Sequence, residues 1–421
     1  MGSKPSLLLA LLLTTAACGR GEPRTFHLAS SNVQATGDAH PSVGMVARDL
    51  SEDVDAVAIH QDFLGVPWNS FGDGVELPGG WVQAIDEQVA SAGEAPVFLS
   101  LALVGGEGRA YLADAATTAG PVSEWSALCF DFVRDPEGPR LRQAYIDYTL
   151  WMIERFQPRW LDLGMELNLY RESCDERTWE SLVLAEDAIY RAVKVRHPDL
   201  VVFPSLVAET LHGLDPACED PAEVCFAAAA AAREANLTSL SGLKMDRLAL
   251  VTYPFDHPAL VDPADLPADY LSAITSRVEA PLVIAATGWP AEEIRYALDA
   301  NTGPCVSHAR GSAEAQAAYL EWIVAEADAH ASDLLTWWSN RDLLPGGLAG
   351  ACSTIPNEYD CGGEPGWCAL VAASRNVVDG WPGELALKTR ANLGLRDHAG
   401  EPREPLAKAW RQLQRRRLRA D

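Results

Sequence analysis

Residues 160–168 read Trp-Leu-Asp-Leu-Gly-Met-Glu-Leu-Asn, and their alternation decides the class of fold. Side chains two apart on a strand share a face. Asp162, Gly164 and Glu166 therefore fall on one side, and Leu161, Leu163 and Met165 on the other. The same split recurs at 55–60, where Ala56, Ala58 and His60 oppose Val57 and Ile59. Small and polar groups on one face with apolar groups on the other suit a strand that lines a barrel axis and backs onto helices. An open sheet covered on both faces gives little reason for polar residues to recur at the carboxyl ends of so many strands.

Outward from this stretch, short apolar runs alternate with longer amphipathic ones. The predicted strands are 55–60, 97–102, 160–166, 200–206, 248–253, 282–286 and 334–338. Helices are predicted between them, for example at 81–92, 141–156, 178–196 and 314–329. Strand-then-helix repetition without a break in composition argues for a single α/β domain, a (β/α)8 barrel with seven strands in clear view. Phe26 to Ser30 is the candidate eighth, although the connection from there to Asp55 carries little helix signal. The expected organisation is a leader at 1–17, a linker with a possible first strand at 18–50, and the barrel at 51–421.

The chain has 421 residues, 48% hydrophobic and 22% charged, enough for a large core. Its 33 Lys and Arg against 59 Asp and Glu give a net charge of -26, which argues against a nucleic-acid partner or an anionic polymer as substrate. The charge reverses at Lys408 to Arg419, where Arg415, Arg416 and Arg417 crowd together; on its own this reads as a solvated last helix.

Lys4, the apolar Leu7 to Leu13 and the small residues before Cys18 read as an export signal too short to span a bilayer. The ending resembles a bacterial lipobox, with Thr15 where Leu is usual. That resemblance implies a lipid anchor on Cys18 as the sole membrane attachment and places the protein in the cell envelope, or makes it secreted if the lipobox fails. Eight further Cys suit up to four disulfides in an oxidising compartment, stapling loops around Cys218, Cys225, Cys352, Cys361 and Cys368. No CxxC pair points to zinc. No GxGxxG after a strand, GxxxxGK[ST] or HExxH points to a cofactor.

Barrel active sites lie at the carboxyl ends of the strands. Those ends carry His60, Asp62, Trp68, Arg109, Glu166, Asn168, Tyr170, Glu209, His212, Tyr253, Asp256, His257, Trp289, Trp337 and Trp338. Indoles beside carboxylates and amides suit sugar rings, whose C–H faces stack on aromatics. Thirteen Trp is many for this length. A single Trp is most simply core packing, and Glu166 has a plain structural alternative, an ion pair with Arg109 or Arg171.

LDLGMELN at 161–168, LVTYP at 250–254, VIAATGWP at 283–290 and GLRDHAGEPREPLAKAW at 394–410 together resemble the retaining glycoside hydrolases of the large (β/α)8 clan, above all its endo-glucanase and endo-galactanase branches. The resemblance implies that Glu166 is the acid/base, that Tyr253 lies beside the nucleophile position and that Trp337 or Trp338 is the aromatic after the last strand. Two departures fall on the chemistry. Met165 stands where the clan has Asn, and Ala286 where it has the nucleophilic Glu. Retaining hydrolysis needs two carboxyl groups about 5–5.5 Å apart, so the inherited route has lost one partner. Glu292 and Glu293, expected to open the next helix, do not replace it. Asp62, Glu209, Asp256 and Asp342 are the candidates for a relocated carboxylate, Asp256 foremost as a substitute base.

Three readings follow: a carbohydrate-binding barrel with lost hydrolysis, using Trp68, Trp289, Trp337 and Trp338 as platforms and His60, Asp62, Arg109, Asn168 and Tyr253 as polar contacts; a hydrolase with relocated chemistry; and a partner-binding scaffold.

Overall fold

The computed structural model describes residues 23–32, 43–61, 64–105, 109–113, 128–215, 217–218, 220–297, 305–352 and 388–419. Its core is a ring of parallel strands: β1 (His27–Ser31), β2 (Ala56–Gln61), β3 (Val97–Leu101), β4 (Trp160–Asp162), β5 in two pieces (Val201–Phe203 and Ser205–Val207), β6 (Leu248–Thr252), β7 (Leu282–Thr287) and β8 (Leu334–Trp337). Neighbours pair in chain order, and β8 returns to β1 with Leu334 opposite His27.

The nine hydrogen-bonded segments make eight barrel strands, because β5 is broken once. Its first piece pairs with β4 and its second with β6. Pro204 stands between them. With no N–H to give, it cannot continue a ladder, and the strand turns from one neighbour to the other there. Asp162, the last residue of β4, fills the gap: its Oδ1 accepts from Ser205 N (2.8 Å) and Gly164 N (3.1 Å), and its Oδ2 from Ser100 Oγ (2.6 Å). Burial raises the Asp162 carboxyl to about 6 against the pull of these hydrogen bonds.

Helices α1 (Val43–Asp53), α2 (Gly79–Ala92), α3 (Gly138–Phe156), α4 (Glu176–Arg196), α5 (Ala230–Ser239), α6 (Ala313–Ala329) and α7 (Leu406–Gln414) lie between or after the strands. Polar caps start two of them: Asp175 accepts from Thr178 N (2.8 Å) ahead of α4, and Ser312 from Ala315 N (3.0 Å) ahead of α6. Helix α1 supplies the connection that showed little helix signal in the sequence, and β1 completes the barrel within the segment expected to be mainly linker. The residues after Trp289 depart from expectation. In place of an immediate helix, Ile294–Ala297 and Cys305–Ala309 form an antiparallel hairpin.

Disulfides Cys129–Cys174, Cys218–Cys225 and Cys305–Cys352 staple loops; Cys361 and Cys368 lie outside the described residues, as does Cys18. Among the described residues no helix is long and apolar enough to cross a membrane.

Candidate functional site

The carboxyl ends of β4, β5 and β6 each present a carboxylate, and each is held differently. Strand pairing stops at Asp162, so Glu166 is aimed by a turn rather than by strand parity. The turn is stitched to both neighbours: Met165 N donates to Leu101 O (3.0 Å) and Leu167 N to Ser205 O (2.9 Å). Between them Glu166 adopts φ 52, left-handed backbone that a non-glycine residue rarely takes, and its N–H donates to Ser205 Oγ (3.0 Å).

Arg109, on the loop after β3, shares this backbone at φ 53. Its Nε (3.0 Å) and Nη2 (2.7 Å) both donate to Glu166 Oε2, while Nη1 donates to Val104 O (3.3 Å). The Arg109 side chain is 8% exposed and that of Glu166 24%. Two strained residues thus hold one largely buried ion pair at the rim, with Cys129–Cys174 joining the loops that carry them. Cys129 N also donates to Ala110 O (2.8 Å), next to Arg109.

After β5, Glu209 sits in the short helix Ala208–His212. Its Oε1 accepts from Tyr270 Oη (2.6 Å) and Thr252 Oγ1 (2.7 Å). Burial raises its carboxyl to about 7, against those two hydrogen bonds. A carboxyl group titrating there is a competent proton donor near neutrality.

After β6, Asp256 lies in the turn Pro254–Asp256. Arg390 grips it with Nη2 to Oδ2 (2.8 Å) and Nη1 to Oδ1 (3.3 Å). Burial would raise this carboxyl, but the Arg390 charge, with His308 beside it, holds it below the ordinary range. The same guanidinium lies 3.9 Å from the centre of the Tyr253 ring. Arg390 is the rim residue that sequence reasoning missed. It lies beyond the last predicted strand, 334–338, where the sequence reading placed no strand end.

At the end of β7, Ala286 is 5% exposed and pairs with Val251 across an irregularity in register. Its neighbour Thr287 donates to Thr252 O (2.9 Å) and also bonds Tyr319 Oη (2.6 Å), so the framework around position 286 is fully occupied while a methyl group stands at its centre.

Three of the four expected aromatic platforms belong to the core. Trp68 stacks on Tyr145 and donates to Ala113 O (2.8 Å); Trp289 packs on Phe255 and Tyr319; Trp337 donates to Leu393 O (2.5 Å) and packs on Tyr319 and Trp410. All three are at most 2% exposed, because their large apolar area is worth more inside than at a wet rim. Trp338 is half-buried, its ring 5.3 Å from that of His60, which also packs edge-on to Phe98.

Asn168 turns inward as well, accepting from Val207 N (2.7 Å) and donating to Val207 O (3.0 Å), a clamp between the β4 turn and β5. His212 is buried against Phe226 and Tyr270, and burial depresses its imidazole to about 3. Asp342 is buried and paired with Arg403, which removes it from the candidates for a relocated carboxylate. Asp62 lies outside the described residues. What remains at the rim is an ionic and hydrogen-bonding surface of Arg109, Glu166, Glu209, Tyr253, Asp256 and Arg390, with Trp338 at its edge.

No protein-family model matches the chain, and no curated protein matches it. Solved structures do. An exo-β-1,4-mannosidase from an Opitutaceae bacterium, strain TAV5, superposes with a TM-score of 0.55 at 14% identity over 94% of this chain, which spans 60% of the mannosidase's length. A GH5_18 protein from Streptomyces cattleya, solved with GlcNAc, gives a TM-score of 0.54 at 13% identity, covering 93% of this chain and 81% of that one. A variant of it solved with Manβ1-4GlcNAc gives 0.53 at 13% identity. The fold shared with these structures is the (β/α)8 barrel.

Proposed function

We propose that this chain is a lipid-anchored protein of the bacterial envelope whose glycoside-hydrolase-like barrel binds an oligosaccharide or polysaccharide at the Glu166–Asp256 rim without retaining hydrolysis. The observation that carries the reading is Ala286: β7 ends in a methyl group where a nucleophile would have to stand, and the hydrogen bonds around it are already made. The ion pairs support it. Glu166 and Asp256 are gripped by Arg109 and Arg390, an arrangement suited to fixed hydrogen-bonding partners for sugar hydroxyls. Trp338, half-buried at the edge, offers the remaining indole for stacking. Cys18 supplies the anchor, and the disulfides suit an oxidising compartment.

Glu209 favours a second reading. Its carboxyl, raised to about 7, would protonate a leaving oxygen while Asp256 or Glu166 activates water, an inverting arrangement for which about 6.5–9.5 Å between carboxyl groups is the expected span.

Reducing-sugar release from β-glucans, galactans, mannans and xylans, measured beside calorimetric binding, separates the two. Binding without release by the unmodified chain, with Glu166→Gln weakening binding, is the expected result. Release by the unmodified chain that is abolished by Glu209→Gln would install the second reading, and whether it is then lost in Glu166→Gln or in Asp256→Asn would say which carboxylate activates water. Silence in both assays would leave a partner-binding scaffold.

A further inference from the structure

The chain enters and leaves the barrel at the same pole. Arg24 N donates to Arg417 O (3.0 Å), Arg419 N donates to Arg24 O (2.8 Å), and Arg24 Nε donates to Arg416 O (3.2 Å). Arg24 itself is buried and paired with Asp55 at the start of β2, so this contact sits at the amino ends of the strands, opposite the rim. Helix α7 buries Leu406, Ala407 and Trp410 and leaves Lys408 and Arg411 exposed.

No acidic residue occurs in 406–419. The acids that approach it are already engaged: Glu404 with Arg411, Asp328 with Arg416 (2.7 Å) and Glu52 with Arg396 (3.2 Å). Lys408, Arg415, Arg417 and Arg419 are exposed with no carboxylate partner among the described residues. Leu418, 36% exposed, projects among them. On a chain of net charge -26 this pole is a local reversal of sign.

Cys18 lies five residues before Pro23, the first described residue. Five residues span at most about 18 Å whatever their conformation. A lipid on Cys18 therefore keeps Arg24, and the arginines bonded to it, close to the headgroup layer.

We propose that the Lys408–Arg419 surface docks on anionic phospholipid headgroups and stands the barrel on the membrane with its carboxyl-end rim turned outward. The inference rests on the Cys18 anchor for its geometry. The acidic remainder of the chain is repelled by the same headgroups, which makes the orientation directional. An outward rim is open to a polysaccharide too large to enter the headgroup layer.

The test uses the chain from Cys18 onward, which contains every described residue, made without acylation, and a second form carrying Arg415→Glu, Arg417→Glu and Arg419→Glu. Both are sedimented with phosphatidylglycerol/phosphatidylethanolamine vesicles and with phosphatidylcholine vesicles, at low and high salt. The expected result is salt-sensitive binding to the anionic vesicles alone, weakened about 100-fold in the triple variant, from roughly fivefold per arginine. Near-UV circular dichroism checks that the variant keeps the fold; the three substituted side chains are exposed, and Arg417 and Arg419 bond Arg24 through their backbones alone. Arginine-independent binding, or none by the unmodified form, overturns the proposal. Cys18→Ala in cells, with the acyl mass as readout, tests the anchor separately: no acyl group alongside arginine-dependent vesicle binding would sink the anchor and leave the docking surface.

Discussion

The ends of β4 and β7 lie on the same face of one barrel and are built in opposite ways. At β4 a carboxylate stands at the rim and the backbone strains to aim it: Glu166 sits at φ 52, bonded through its N–H to Ser205 and through its carboxylate to Arg109. At β7 the frame is packed and position 286 carries only a methyl group: Thr287 and Trp289 are locked into the core, and Ala286 lies between β6 and β8. A frame that buries aromatic area is required for folding, whereas a rim carboxylate is required only for chemistry. The two can part company within one strand.

Breaking the β7 frame has the largest effect expected here. Trp289→Ala empties a fully buried site and should cost about 3–5 kcal/mol in urea unfolding. A cost under about 1 kcal/mol would mean that the indole is not part of the core frame.

Next comes the base of the β4 end. Asp162→Ala takes their acceptor from the Gly164 N–H and the Ser100 hydroxyl, leaves the Ser205 N–H with only Gly164 O (3.2 Å), and should cost about 2–4 kcal/mol, read by the same unfolding curves. Equal stability would show that the β5 break at Pro204 needs no carboxylate to bridge it.

A smaller effect sharpens the contrast in strain. Glu166→Gly combined with Arg109→Met removes the left-handed penalty and both charges of the largely buried ion pair, so stability should change by no more than about 1 kcal/mol while glycan binding falls. A large loss of stability would make Glu166 part of the frame after all.

The last test is a pH dependence. Glu209 rises from the ordinary 4.5 to about 7, so the native state holds its proton more tightly than the unfolded chain does. Its contribution is complete below the unfolded value and is lost as pH rises through the native one. Stability of the unmodified chain relative to Glu209→Gln should therefore fall between about pH 4.5 and pH 7. The comparison with the variant is needed because His212, depressed by burial, works the other way and adds stability as pH rises towards 6.5. A difference flat with pH would remove Glu209 as a proton donor and with it the second reading of the function.

Much of the barrel was legible because its signals are local. Alternation at 55–60 and 160–166 and a short apolar run at 248–253 marked strands; β4 and β6 lie within theirs, and β2 runs one residue further, to Gln61. Apolar periodicity marked α3 and α4 to within a few residues. The site was legible in its residue types and not in its contacts. Glu166 was singled out by its place at the end of a strand, and Arg109 was already one of two possible partners. Trp68, Trp289 and Trp337 were placed on the rim because they follow strand ends. Strand-end position does not say which way a side chain turns once a loop begins, and burial of a large indole outweighs a place on a hydrated surface.

The sequence by itself determined the class of fold, the strand-end carboxylates and the absence of one at position 286, since these are matters of residue identity and short-range period. Only the tertiary structure decided that Pro204 hands β5 from one neighbour to the other, that Arg109 grips Glu166 across 57 residues and Arg390 grips Asp256 across 134, and that the two ends of the barrel chain meet beside the arginines. Partners so far apart in the chain are chosen by closure of the ring, and no periodicity within a strand or helix encodes them.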